Sequence, residues 1–187
     1  MIKVTSREDF LIELQNFLIP NPYSVEIGVF RGEFAKMILD IINPSVLVLI
    51  DPFEENDEWY GEEGNSLRTA YSTFEDLNIV VKKFSTEIVK LNVVIMKGYS
   101  YDIVHKCKDH AFDFIYIDAS HRYADVKRDL NNWHTKLTIN GVMAGHDYSP
   151  DPQFGVVQAV DEYCEEQGFE MILLNENGGD WALKRKQ

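Results

Sequence analysis

Cysteine is scarce in this 187-residue chain, with Cys107 and Cys164 the only two. Their spacing makes neither a disulfide framework nor a metal-ligand pattern, so a reducing cytoplasm is the expected setting. Long apolar runs are missing as well, and nothing approaches the roughly 20 residues that span a bilayer. The opening Met-Ile-Lys-Val-Thr-Ser-Arg-Glu-Asp lacks the apolar core of a signal peptide. Positive charge is in short supply: 18 basic residues face 31 acidic ones, a formal net charge of −13. Such a field repels phosphate backbones and anionic lipid, so the expected partner is neither nucleic acid nor a membrane. No repeat, low-complexity tract or Pro/Gly/Ser linker divides the chain. At roughly 150 residues per domain it reads as one domain over 1–187. An apolar fraction of 45% with 12% aromatics fills a core and excludes intrinsic disorder.

What is present is an alternation. Ser6 followed by Asp9 resembles a capping box, and Phe10, Leu11, Leu14 and Phe17-Leu18 recur at helical spacing, which predicts a helix within 1–20 closed by Pro20 and Pro22. Short β-rich runs follow at Ser24 to Ile27, Val46 to Ile50, Val93 to Met96, Phe112 to Ile117 and Val142 to Ala144. They are almost wholly apolar, as parallel strands covered on both faces are. Helical candidates such as Phe34 to Ile42 and Tyr123 to Leu137 lie between them. Repeated strand–helix units imply an α/β fold, a right-handed doubly wound sheet. A helix over Val156 to Gln167 then leads to Met171 to Leu174, Asn177-Gly178-Gly179-Asp180 and Trp181 to Leu183, a hairpin signal that predicts an antiparallel last strand. A mostly parallel sheet with such an ending resembles the Rossmann-like class I S-adenosylmethionine-dependent methyltransferases.

In sheets of this kind ligands sit beyond the carboxyl ends of the strands. After the first run comes Val-Glu-Ile-Gly-Val-Phe-Arg-Gly, in which Gly28 and Gly32 permit a tight turn and a close backbone approach. The spacing is not the Gly-x-Gly-x-x-Gly of dinucleotide binders. Glu26 would repel a pyrophosphate but suits a ligand carrying an ammonium and a sulfonium. Asp51, 23 positions after Gly28, sits where a carboxylate can accept both hydroxyls of a ribose. Ser100 reads as an N-cap whose neighbourhood can also receive an adenine. Asp118 and the pair His146-Asp147 fall at the ends of adjacent strands and can converge on a divalent cation. Each of these residues also has a plain alternative as a turn, cap or solvated side chain.

Val-Glu-Ile-Gly-Val-Phe-Arg-Gly, Ile-Asp-Ala-Ser-His-Arg-Tyr and Gly-Val-Met-Ala-Gly-His-Asp-Tyr together resemble the family-24 branch of those methyltransferases, relatives of macrocin O-methyltransferase and the cephalosporin-hydroxylase-like proteins. The resemblance covers about Val25 to Leu183. It implies that Glu26, Gly28 and Gly32 cradle the methionine part of S-adenosylmethionine, Asp51 the ribose and Ser100 the adenine side, with Asp118 bordering the cofactor. It also implies that Asp118 and Asp147 are metal ligands in members that use magnesium. Many of those members carry an acid where this chain has His146, and an imidazole shifts preference from magnesium towards manganese, iron or zinc.

Transfer of a methyl to an oxygen needs two ligands held in line and a hydroxyl deprotonated or polarised. His121 and His146 are the histidines expected near the crevice, with Asp118 beside them as the third catalytic candidate. His105, His110 and His134 are expected at the surface. Residues 51–65 hold seven acids and no base, with Trp59 and Tyr60 among them; they read as a solvated loop and, as a second reading, as a lid over a small-molecule acceptor. Three rivals stand beside the methyltransferase: an NAD-dependent oxidoreductase, a non-catalytic S-adenosyl-ligand-binding protein, and a metal-dependent hydrolase or hydroxylase. The acceptor is not legible, and homo-oligomer formation is left open.

Overall fold

A computed structural model describes residues 1–54, 73–150 and 154–186. The expected acidic loop falls for the most part outside the described residues.

The elements in chain order are β1 (Ile2–Val4), α1 (Arg7–Leu14), β2 (Tyr23–Ile27), α2 (Glu33–Met37), β3 (Val46–Asp51), α3 (Phe74–Lys83), α4 (Ser85–Val89), β4 (Val93–Lys97), α5 (Ser100–Ile103), β5 (Phe112–Ile117), α6 (Tyr123–His134), β6 (Leu137–Gly145), α7 (Val156–Gln167), β7 (Phe169–Asn175) and β8 (Trp181–Arg185). The strands form one eight-stranded sheet in the order β1-β7-β8-β6-β5-β2-β3-β4. β8 runs antiparallel to both of its neighbours, and the remaining pairs are parallel. The doubly wound sheet with a C-terminal antiparallel hairpin is the architecture expected from the sequence.

Side-chain alternation along the central strands feeds two cores. Val25, Ile27, Ile115 and Ile117 pack under α6 and α7 through Val126, Leu130, Trp133, Val160 and Tyr163. Leu47, Leu49, Phe114 and Tyr116 pack on the other face against Phe10, Leu11 and Leu14 of α1 and Phe34, Ala35 and Ile38 of α2. Both faces are dry, which is why the strands read as continuous apolar runs. At roughly 1.5–3 kcal/mol per buried large side chain, these two layers are the main stabilising term.

Several boundaries differ from expectation. α1 starts where predicted, with Ser6 Oγ accepting the Asp9 N–H at 3.1 Å. It stops at Leu14 and passes into a 3-10 turn over Gln15–Phe17, so Pro20 and Pro22 do not end it. The second half of the Phe34 to Ile42 segment is a π-helix over Ile38–Ile42, closed by Asn43 donating five residues back to Ile38. α6 ends at His134 rather than Leu137, because Leu137 already pairs with Phe112 in the sheet. β6 is correspondingly longer than Val142 to Ala144; its first half includes half-buried Thr138 and exposed Ile139 and Asn140, which look like a turn in sequence. The edge strand β1 and the helices α3 and α4 are not anticipated from the sequence. Ser100 is not a cap: Tyr99 holds that position, and the Ser100 hydroxyl donates instead to buried Asp129 at 2.5 Å.

Candidate active site

The chain builds β2, β3 and β4 outward, then crosses back to place β5 on the other side of β2. The sheet therefore has its switch point between β2 and β5, where a crevice opens at the carboxyl ends. Asp118 N–H donates to the Ile27 carbonyl at 2.8 Å across this junction. Gly28 has φ +87°, and a Cβ there would stand 1.9 Å from the Asp118 carbonyl oxygen. Only glycine fits, and the reason is this crossing of two chain segments. Gly32, at φ +73°, caps α2 with its would-be Cβ 2.8 Å from the Phe84 ring.

Asp51, at the end of β3, holds the intervening turn. One oxygen accepts the N–H groups of Val29 and Phe30 at 2.8 and 3.1 Å, and the other accepts Phe53 N–H at 2.8 Å. Expected as a ribose acceptor, it here fixes the Gly28–Gly32 turn against the end of β3. Glu26 is 1% exposed, and its Oε2 has no hydrogen-bond partner among the described residues. Desolvation, reinforced by the Asp118 charge, pushes this carboxyl well above the ordinary glutamate range. A buried acceptor without a donor marks a place where a ligand donor is missing.

On the other side of the switch point, Asp118, His121 and Asp147 bring one ligand atom each within 4.8 Å of one another. His121 Nε2 lies 2.8 Å from Asp147 Oδ2, and His146 Nδ1 lies 3.2 Å from the same oxygen. Asp118 Oδ1 is 4.0 Å from His121 and 3.9 Å from His146. Asp118 and Asp147, both expected around a cation, thus fall in this set with His121 as its imidazole, while the expected His146 borders it through Asp147. Burial works to lower both imidazole pKa values, but the hydrogen bonds to Asp147 outweigh it and raise them. Burial likewise opposes ionisation of Asp147, and the two imidazoles more than offset it, holding that carboxyl well below its usual range. Asp118 is raised, chiefly by desolvation, against the pull of His146 and Arg7.

Asp147 has φ +59°, a conformation that non-glycine residues adopt only when their surroundings impose it. The surroundings here are the β7–β8 turn: Tyr148 N–H donates to Gly179 O at 2.9 Å, and Trp181 Nε1 donates to His146 O at 3.0 Å. The edge of the Phe154 ring meets His121 with centroids 4.9 Å apart.

Three contributors were not singled out from sequence. Arg7, in the first turn of α1, lays its guanidinium over Phe34 and donates to Tyr116 Oη at 2.6 Å and Asp180 Oδ1 at 3.0 Å. Its Nη2 stands 3.4 Å from Asp118 Oδ2. Tyr116 and Asp180 are fully buried and bonded to each other at 2.6 Å. No motif marks these residues; their meeting is a product of the sheet order. Of the remaining histidines, His105 and His110 are exposed, whereas His134 is half-buried, 2.7 Å from Tyr163 Oη and 3.1 Å from Arg185.

This crevice, with an acidic strand end, a glycine turn and polar groups on the next two strands, defines a Rossmann-like methyltransferase fold. Solved structures share it. A Corynebacterium glutamicum protein superposes with TM-score 0.69 at 15% identity, covering 96% of this chain and 80% of that one. The O-methyltransferase NovP gives 0.67 at 19% identity, over 96% and 78%. A putative caffeoyl-CoA O-methyltransferase from Staphylococcus aureus gives 0.65 at 17%, over 98% and 86%. At these identities the likeness shows the fold. No curated protein matches by sequence. The chain belongs to the family-24 methyltransferases, whose model, described as a methyltransferase domain, matches residues 25–148. Membership implies S-adenosylmethionine as cofactor. No helix among the described residues is long and apolar enough to cross a membrane.

Proposed function

We propose that the protein moves the methyl group of S-adenosylmethionine to a hydroxyl oxygen of a small-molecule acceptor, with a divalent cation assisting. The observation that carries this reading is Glu26: a carboxyl buried at the switch point with one oxygen unpartnered among the described residues, next to a cluster of two carboxylates and two imidazoles. Glu26 would accept from the ammonium of the cofactor's methionine part, with the Gly28–Gly32 turn as the neighbouring backbone. Asp51 and Ser100, beyond the ends of β3 and β4, would lie towards its ribose and adenine ends, with Asp51 also holding the turn. When bound, the cofactor supplies an electrophilic methyl on a sulfonium, open to in-line displacement.

Asp118 and Asp147, with one imidazole, form a donor set that fits a cation, and the nitrogen favours manganese, iron or zinc over magnesium. Such an ion would lower the pKa of an acceptor hydroxyl. His121 and His146 reach the same oxygen of Asp147, so one can serve the cation while the other takes the hydroxyl proton. The protein's acidity favours neutral or cationic acceptors over polyanions such as RNA. We place the enzyme in the cytoplasm.

The test is calorimetric titration with S-adenosylhomocysteine and with NAD, alongside mass spectrometry of the purified protein for bound nucleoside and metal. Binding of the former alone supports the proposal. Binding of NAD, or of neither, overturns it. Nucleoside binding without turnover across a broad screen of hydroxyl acceptors points to the non-catalytic binder instead.

A further inference from the structure

Arg7 is a permanent cation at the edge of the cleft, since a guanidinium is not deprotonated in proteins. Its charge is answered by Asp180, which is 0% exposed and also receives Tyr116 Oη at 2.6 Å and Asn175 Nδ2 at 2.8 Å. That pair would be complete without a third member. Arg7 nevertheless turns Nη2 towards Asp118 Oδ2, at 3.4 Å, while Asp118 Oδ1 faces the two imidazoles. Asp118 is thereby divided, one oxygen towards α1 and one towards the His121–His146–Asp147 cluster. Stacking on Phe34 at 4.1 Å and the bond from Nε to Asp180 keep the guanidinium from swinging away.

We infer that Arg7 is a positioning residue that sets the divalent-cation affinity of this cleft. It holds one oxygen of Asp118, leaves the other to a metal, and opposes that metal with a fixed charge of like sign. The inference rests on the reading of Asp118 and Asp147 as cation ligands. In the low effective dielectric of a half-buried cleft, a charge this close weakens binding of a second cation. Asp180 moderates the effect from behind. The site consequently binds its ion loosely, and exchanging the charge of Arg7 or of Asp180 moves the affinity in opposite directions.

The test is titration with Mn2+ in the presence of S-adenosylhomocysteine, with free ion followed by electron paramagnetic resonance. Arg7→Gln, which drops the charge and keeps an amide donor, is expected to tighten Mn2+ by about tenfold. Arg7→Lys, which keeps the charge, is expected to stay within about threefold of wild type. Asp180→Asn leaves Arg7 less compensated and is expected to weaken Mn2+ several-fold. It carries the test alone if Arg7→Gln does not fold. Equal or weaker binding in folded Arg7→Gln, or unchanged or tighter binding in Asp180→Asn, overturns the inference. Mn2+ binding that survives Asp118→Asn unchanged, or is undetectable in wild type and every variant, overturns the cation reading itself. Binding that appears only in Arg7→Gln supports both.

Discussion

Glu26 combines a carboxyl with nearly complete burial and an oxygen that no donor among the described residues meets. Burial raises its carboxyl well above the ordinary range, so the cofactor's ammonium, by favouring the ionised form, should draw a proton off it on binding. Calorimetry of S-adenosylhomocysteine binding in buffers of different ionisation enthalpy should therefore show proton release, and affinity should rise with pH. A second expectation concerns the imidazoles. Both pKa values lie above the ordinary 6.5, so the neutral form that accepts a proton fills only at higher pH. Turnover should climb with pH, with its half-point above 6.5. His121→Ala or Asp118→Ala should cut turnover by about 10²–10⁴ while nucleoside binding survives. Full activity in both variants would leave this cleft without a role in the chemistry.

Between α5 and α6 the Ser100–Asp129 bond buries an acid that desolvation raises from 3.8 to about 6, although Ser100 pulls the other way. A raised acid makes the native state hold the proton more tightly than the unfolded chain. Its contribution to stability is thus largest below pH 3.8 and is lost as pH rises through about 6. Asp129→Asn should flatten that slope and gain about 2 kcal/mol at pH 8 relative to wild type, read as the difference in urea midpoints between pH 5 and pH 8. Gly28→Ala should cost about 3 kcal/mol or more, since a methyl has no space beside the Asp118 carbonyl. Elements of this kind also show what the sequence can convey. β2, β3 and β5 were legible because both of their faces are dry and most of their positions are apolar. β6 was half legible, for its exposed start alternates like a turn. α7 was read to the residue, since Gly168 in a left-handed conformation ends it. Ser100 misled because a serine after a strand suits a cap as well as it suits a partner on another helix. Asp118, His146 and Asp147 were found because strand ends point into one crevice. Arg7, Tyr116 and Asp180 were not, because nothing local distinguishes an arginine that crosses to the sheet from one that faces water.

At the scale of the whole molecule, β8 is the seam. It pairs with β6 through Met143 to Gly145 and with β7 through Phe169 to Leu174, joining β1 and β7 to the rest of the sheet. Its turn also braces His146 and Tyr148. A chain stopped after Gly179 should lose cooperative unfolding, because two strand edges and Trp181's pocket would open to water. A sharp thermal transition in that truncated chain would contradict the placement of β8 as the seam.

The Arg7–Asp180 contact joins positions 173 apart in the chain. A cleft wired this way is assembled late, after both extremities of the sheet have docked. Fraying of the first helix, or of the last hairpin, would silence it while most of the strands still stand. In mild urea, activity should accordingly vanish ahead of the far-ultraviolet signal, and competence itself becomes the report that folding has reached every part of the molecule.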